Sequence, residues 1–487
     1  MVHLLSEGSP CGPDVFSFEA NRGGMTFQHT GTDMVDAAET DVSRLPLVPR
    51  SPLPLRQRLT AARQYHVGQE VLRRAGGAVT RVALGPQWLS PPIVFVMSPT
   101  GARDVLARNN EWCDRTLVHR EIRRLMGDNL ADLPNTLWRS RKRTLQPVFT
   151  RQHVPTFGGH MSEVAAMIAR GWREGAEVDL DAEARRLTMR VLGRSVLGLD
   201  LDERADSLAE PLNVVLSYVA DRGMRPIRAP WWLPTSARHR ARTAGATLRR
   251  LAADILEACR ADPSRDAPLV HALIGATDPE TGRALSDLDI CNDLIAFMVA
   301  GHDTTATTLA FALWALGRHP HLQTRVAEEV AAIDDRALTP GDVSRLGYTV
   351  QVLREALRLC PPVVVAGRTA MRDIEVDGYR VRARSMVLVG VFGMQRDPAL
   401  WENPLDFDPD RFSTENISRL DRWQYIPFGA GPRSCIGDHF AMLEATLALA
   451  TIIRAAEIDS LVADFPLAVP FTMVPGAPIP ARVRRRT

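Results

Sequence analysis

The stretch Tyr425–Met442, YIPFGAGPRSCIGDHFAM, sets Cys435 among three glycines, two prolines and an arginine. A cysteine does chemistry as its thiolate, which is both the nucleophile and the metal ligand. Gly429 and Gly431 let a backbone make a tight, otherwise strained turn. Cys435 precedes the run IGDHFAMLEATLALATII, so the spacing puts it near a helix N-terminus, where the dipole and free N–H groups favour a thiolate. His439, four residues on, opens a zinc reading, but no second Cys/His pair completes four ligands. A buried inert thiol is the commoner state of cysteine, and the glycine-rich setting argues against it here.

A second constellation lies in DLIAFMVAGHDTTATTLAFALWAL, Asp293 to Leu316, which is apolar on nearly all sides and predicts a helix buried through the core. From Leu288 to Gly317 it spans about 45 Å. Its middle nevertheless holds Gly301, Asp303, Thr304 and Thr305. A mid-helix glycine costs roughly 1 kcal/mol against alanine, and buried Asp and Thr need hydrogen-bond partners. One reading is a kinked core helix with threonines bonded back to the preceding turn. The other is a local widening that accepts a small ligand, with an acid and an alcohol beside it to relay protons.

Two charged groupings complete the set. Glu355 and Arg358 stand three apart on one helix face, and FDPDRF offers Arg411 as a third member. Trp138 and Lys142 stand at i and i+4 with Arg141 and Arg143 alongside. That is either a solvated basic face or a grip on an anionic group, with indole N–H and ammonium as donors. Lys142 is the single lysine among 59 basic residues.

The elements that position these residues are mostly helical between about Pro99 and Cys360, with apolar residues at i, i+3 and i+4. Short strands are predicted around AVTRVALG and PPIVFVMSP as a hairpin, in DIEVDGYRVRARSMVLVGV, and from Phe465 onward. Asp377-Gly378 marks a tight hairpin turn. Residues 1–45 are polar and aperiodic, a flexible arm, and 46–487 read as one domain, mainly α with small β-sheets (α+β). The net charge of +2 does not call for nucleic acid. Six scattered cysteines fit a reducing compartment. No stretch approaches the roughly 20 apolar residues of a bilayer span, and a cytoplasmic protein is expected.

These features, in this order, resemble the cytochrome P450 family of haem-thiolate monooxygenases. The cysteine loop matches F-x-x-G-x-R-x-C-x-G at Phe428, Gly431, Arg433, Cys435 and Gly437. AGHDTT (Ala300–Thr305) resembles the oxygen-binding helix motif, and Glu355 with Arg358 the E-x-x-R pair. The resemblance covers roughly residues 45–485. It implies a haem b cofactor over which a long central helix runs, and O2 insertion into a hydrophobic small molecule such as a terpenoid, fatty acid or polyketide, as in secondary metabolism.

By this resemblance Cys435 is the axial thiolate and Phe428 shields the sulfur. Arg433, Arg368 and Trp138 bind haem propionates, joined by Lys142 where the family has arginine or histidine. Arg141 and Arg143 compete for that role. Ala300 and Gly301 flank the haem, and Asp303 and Thr304 deliver protons. Glu355, Arg358 and Arg411 are structural. Pocket walls come from 113–130, 213–234 and 470–473, with Phe297, Val363, Val364, Val365, Ala366, Phe471 and Trp231/Trp232.

Only 52 residues follow Cys435, so a separate ferredoxin or flavodoxin-type donor with its reductase is expected. Arg139, Arg141, Lys142 and Arg143 would steer it, and a monomer is expected. A P450-fold isomerase or dehydratase that does not use O2, and a non-catalytic haem-binding sensor, are the alternatives.

Overall fold

The computed structural model describes residues 41–486 apart from 65, 86–90, 199–204 and 225–228. Of the expected arm, residues 1–40 lie outside the described residues. Val42–Arg44 form a 3-10 turn whose Ser43 carbonyl accepts a 3.1 Å bond from Arg380, so the chain is docked before residue 46.

The central helix is Asp287–Arg318, started by a reciprocal cap between Ser286 and Asp289. It is buried along most of its length because its sequence is apolar on nearly every side. Around it pack Leu180–Val191, Ser236–Ala261, Gly347–Leu359 and Asp438–Ala455. At its C-terminal end a Cβ on Gly317 would sit 2.3 Å from the Ser460 hydroxyl, so only glycine lets the helix meet strand Ala456–Ser460 this closely.

Strands gather at the flanks. Five form one mixed sheet in the order Val79–Val82, Ile93–Val96, Met386–Gly390, Val365–Ala370, Cys113–Asp114. The first two are antiparallel, as the sequence hairpin predicts. Ile93–Val96 runs parallel to Met386–Gly390. Asp377 and Gly378, both at positive φ, turn the hairpin in which Val376 faces Tyr379. Glu177–Asp179, Pro480–Arg485 and Ala456–Ser460 make a three-stranded sheet, and Leu467–Ala468 pairs with Val474–Pro475. The result is a mainly helical fold with small sheets.

Candidate active site

The cysteine loop is closed by its own backbone. The Cys435 amide donates to the Phe428 carbonyl at 2.9 Å and the Ser434 amide to Gly431 at 3.0 Å. Gly431 has φ +71°, and a Cβ there would lie 2.1 Å from the Leu106 carbonyl oxygen, so no other residue fits. At Gly437 a Cβ would meet no protein atom within 4 Å. Protein packing does not require glycine there; its absence of side chain keeps the surface flat for a group lying against it.

Cys435 sits deep in the protein mass and yet keeps exposed surface, so it borders an internal hollow. Burial pushes its thiol up to about 11, and Asp438 adds to this, while the Gly437 amide and Lys142 act the other way. The helix N-terminus expected to ionise the sulfur is present, since Asp438 opens the Asp438–Ala455 helix. Burial is the largest influence on the thiol. A cation bound at the sulfur would supply the missing stabilisation, because a coordinating thiol is deprotonated by the metal itself.

The central helix also has an open patch in its buried middle. Ala300 is exposed and Gly301 half-buried, between the buried Met298 and His302. The helix stays regular there, so small side chains and not a break make the opening. The Thr304 hydroxyl donates to the Ala300 carbonyl at 2.7 Å, and Thr308 to Thr304 at 2.9 Å. Asp303 pairs with Arg185 at 2.6 Å, and Arg185 also holds Asp181 at 2.8 Å.

A corner beside the loop is short of negative charge. Arg368 and Arg433 are buried, and both are pushed down to about 9, first by burial and then by neighbouring guanidiniums, Arg115 foremost. Burial lowers Arg115 too. Arg433 bonds Asn135 and the Leu133 carbonyl, whereas the Nε atoms of Arg368 and Arg115 have no hydrogen-bond partner. The nearby carboxylates are shared: Asp132 pairs with His119 at 2.6 Å, and Asp114 accepts from the amides of Arg115 and Asn135 and comes no nearer than 3.9 Å to Arg433. Such a corner suits the two carboxylates of a haem. Arg115 was not singled out from the sequence.

The cytochrome P450 family profile matches residues 46–465. The chain belongs to the cytochrome P450 family. It is 31% identical over 380 residues to cyclooctat-9-en-7-ol 5-monooxygenase of Streptomyces melanosporofaciens, covering 78% of this chain and 82% of that one. Over 382 residues it is 28% identical to pentalenene oxygenase of Streptomyces avermitilis, covering 78% and 84%. The crystal structure of the cytochrome P450DA heme domain superposes with a TM-score of 0.79 at 26% identity, over 91% of this chain and 98% of that one. As a P450 the protein is a haem b monooxygenase that takes electrons from a redox partner. Among the described residues no helix is long and apolar enough to cross a membrane.

The E-x-x-R pair of this P450 is brought together with Arg411. Arg358 makes two 2.7 Å bonds to Glu355, both side chains fully buried, and Arg411 approaches Glu355 at 3.4 Å. Arg358 also donates to the carbonyls of Gln395, Pro404 and Asp406. It thereby ties the helix to the segment carrying FDPDRF.

Trp138 is buried with two cations on its ring, Arg433 at 4.5 Å and Lys142 at 5.4 Å. The Lys142 ammonium donates to the Pro432 carbonyl in the cysteine loop. Arg141 and Arg143 are committed elsewhere, Arg141 to Asp289 and Asp293 and Arg143 to Asp278 and Glu280. Arg139 pairs with Glu111. The basic run expected to steer an acidic donor is therefore largely neutralised.

Of the expected pocket residues, Phe297, Val365, Ala366 and Phe471 are half-buried, and Val363 is 45% exposed. Val364 is a correction: it turns into the main core, and its carbonyl accepts from Gln69 at 3.0 Å. Trp232 is 80% exposed, and Trp231 has the guanidiniums of Arg124, Arg222, Arg238 and Arg242 around its ring while packing on the same cluster as Phe297 and Phe471. Residues 225–228 of the expected wall lie outside the described residues.

Proposed function

We propose that Cys435 is the axial thiolate of the haem and that the protein inserts oxygen into a hydrophobic, terpenoid-like small molecule. The observation carrying the first part is the deep sulfur with open surface on a glycine-shaped loop, beside three guanidiniums that share only the carboxylates of Asp114 and Asp132. Bound haem supplies dioxygen activation at iron, to which a thiolate donates electron density favouring O–O cleavage.

The chain's own residues do the rest. Arg433, Arg368 and Arg115 hold the propionates by charge-assisted bonds, with the Trp138 indole beside them. Gly437 gives the ring a flat seat and Phe428 closes the loop around the sulfur. Thr304 gives its own proton to the Ala300 carbonyl, so its lone pairs are free to accept a hydrogen bond in the hollow. Asp303, next to Thr304 in the helix, is the proton carrier, and Arg185 holds it together with Asp181.

The substrate reading rests on the apolar Phe297, Val363, Val365, Ala366 and Phe471 and on the relatives that act on cyclooctat-9-en-7-ol and pentalenene. Electrons come from a ferredoxin or flavodoxin-type donor with its own reductase, and the enzyme works as a cytoplasmic monomer. The test is a titration of the ferric protein with cyclic terpenoid alcohols, fatty acids and polyketide lactones. It is followed by turnover with a ferredoxin, its reductase and NAD(P)H. A saturable Soret shift and a hydroxylated product from the terpenoids support the reading. Binding and turnover of fatty acids alone would refute the terpenoid assignment.

A further inference from the structure

We infer that Lys142 is a positioning residue for the cysteine loop: its ammonium pins the loop through the Pro432 carbonyl and lends positive charge to the iron's sulfur side, while Arg115 holds the propionate that an arginine at 142 would otherwise take. This rests on Cys435 being the iron ligand.

Three observations carry it. The Lys142 ammonium bonds a carbonyl three residues before Cys435, joining the Asn135–Leu145 helix to a loop 290 residues away in sequence. The same ammonium lies over the Trp138 ring, whose other cation is Arg433 of that loop, so one buried indole is gripped from both elements. The titratable groups that act on it electrostatically are Asp438, Cys435 and Arg433, all in or beside the loop. The three-guanidinium corner, by contrast, is formed by Arg115, Arg368 and Arg433.

The chemistry follows from the shapes of the two cations. A lysine is a compact charge on a flexible stem with no planar fork. It suits a single carbonyl lone pair and a nearby sulfur better than a two-oxygen propionate. A positive charge held there favours the reduced, more electron-rich state of an iron–thiolate unit.

The experiment compares wild type, Lys142→Met, Lys142→Arg and Arg115→Gln, all haem-loaded. It reads the stability of the thiolate-type reduced-CO band, the ferric/ferrous potential, and haem transfer to an apo-globin. Lys142→Met should convert the thiolate-type band to the blue-shifted, non-thiolate form roughly fivefold faster, as loss of one partly screened charged hydrogen bond allows. Its potential should fall, and its haem transfer should match wild type. Lys142→Arg keeps the charge and should hold the potential closer to wild type than Lys142→Met does. Arg115→Gln should speed haem transfer roughly tenfold with the band intact. Faster haem transfer from Lys142→Met with an unchanged band and potential would make Lys142 a propionate ligand and overturn the inference. No change in any readout would overturn it as well. Absence of a thiolate-type band in the wild type would instead remove the ligand assignment on which it rests.

Discussion

Arg185 lies 2.6 Å from the Asp303 carboxylate, across the gap between the Leu180–Val191 helix and the central helix. The same guanidinium holds Asp181 at 2.8 Å, so one cation serves two carboxylates. The acid next to Thr304 therefore rests turned toward the outer helix. If it carries protons, Asp303→Asn should keep a bond to the guanidinium and lose the titrating group. Product formation should fall by roughly a hundredfold, the scale of a general acid, with haem content unchanged. Steady-state turnover of haem-matched samples checks this, and an unchanged rate would exclude the role.

Thr304 gives a second outcome. Its proton goes to the Ala300 carbonyl, so the oxygen is placed as an acceptor. Thr304→Ala should keep haem and substrate binding but divert NAD(P)H electrons to hydrogen peroxide. Thr304→Ser should stay coupled. Product and peroxide measured per NAD(P)H consumed separate the two, and equal coupling in Thr304→Ala and wild type would remove the hydroxyl from the mechanism.

Acid should destabilise the protein through His302. This side chain is buried, with Nδ1 3.0 Å from the Thr188 hydroxyl, and burial holds its pKa well below the ordinary 6.5, with Asp303 opposing and Arg185 adding. The unfolded chain protonates this histidine below about pH 6.5, while the folded one resists. Stability present at neutral pH is thus lost as pH falls, at up to about 1.4 kcal/mol per pH unit for this proton. His302→Asn should flatten that slope. Urea unfolding of both proteins at roughly pH 7 and pH 5 measures it, and identical slopes would exclude His302 as the source.

Glu355 and Arg358 should behave differently from Arg411. Arg358→Ala removes both 2.7 Å bonds to the buried Glu355 carboxylate, leaving it the Asp408 amide and the more distant Arg411, and should cost about 3–5 kcal/mol, leaving little haem-loaded protein. Arg411 is partly exposed and its nearest approach to Glu355 is 3.4 Å, so Arg411→Ala should cost distinctly less. Thermal unfolding and haem yield of the two variants rank them; an equal loss would contradict the geometry.

The cysteine loop and AGHDTT were legible because their residues are neighbours in sequence and their function needs local backbone shape. The Glu355–Arg358 pair was legible for the same reason, and FDPDRF pointed to Arg411. Arg185 and Arg115 were not. Arg185 meets Asp303 across 118 residues, and in a chain whose basic residues are arginine with one exception, residue type carries no signal. The partners of the basic run at 139–143 were not legible because charges read along the chain do not show what they meet: Glu111, Asp278, Asp289 and Asp293 come from other elements. Val364 was misplaced because a run of three valines gives no alternation to read.

The reduced-CO difference spectrum of wild type and Cys435→Ser tests the central claim most directly. Wild type should show the red-shifted Soret band of a thiolate-ligated haem, and Cys435→Ser should lose it, because a neutral hydroxyl is a poor iron ligand. The same red-shifted band in Cys435→Ser would show that another group ligates the iron.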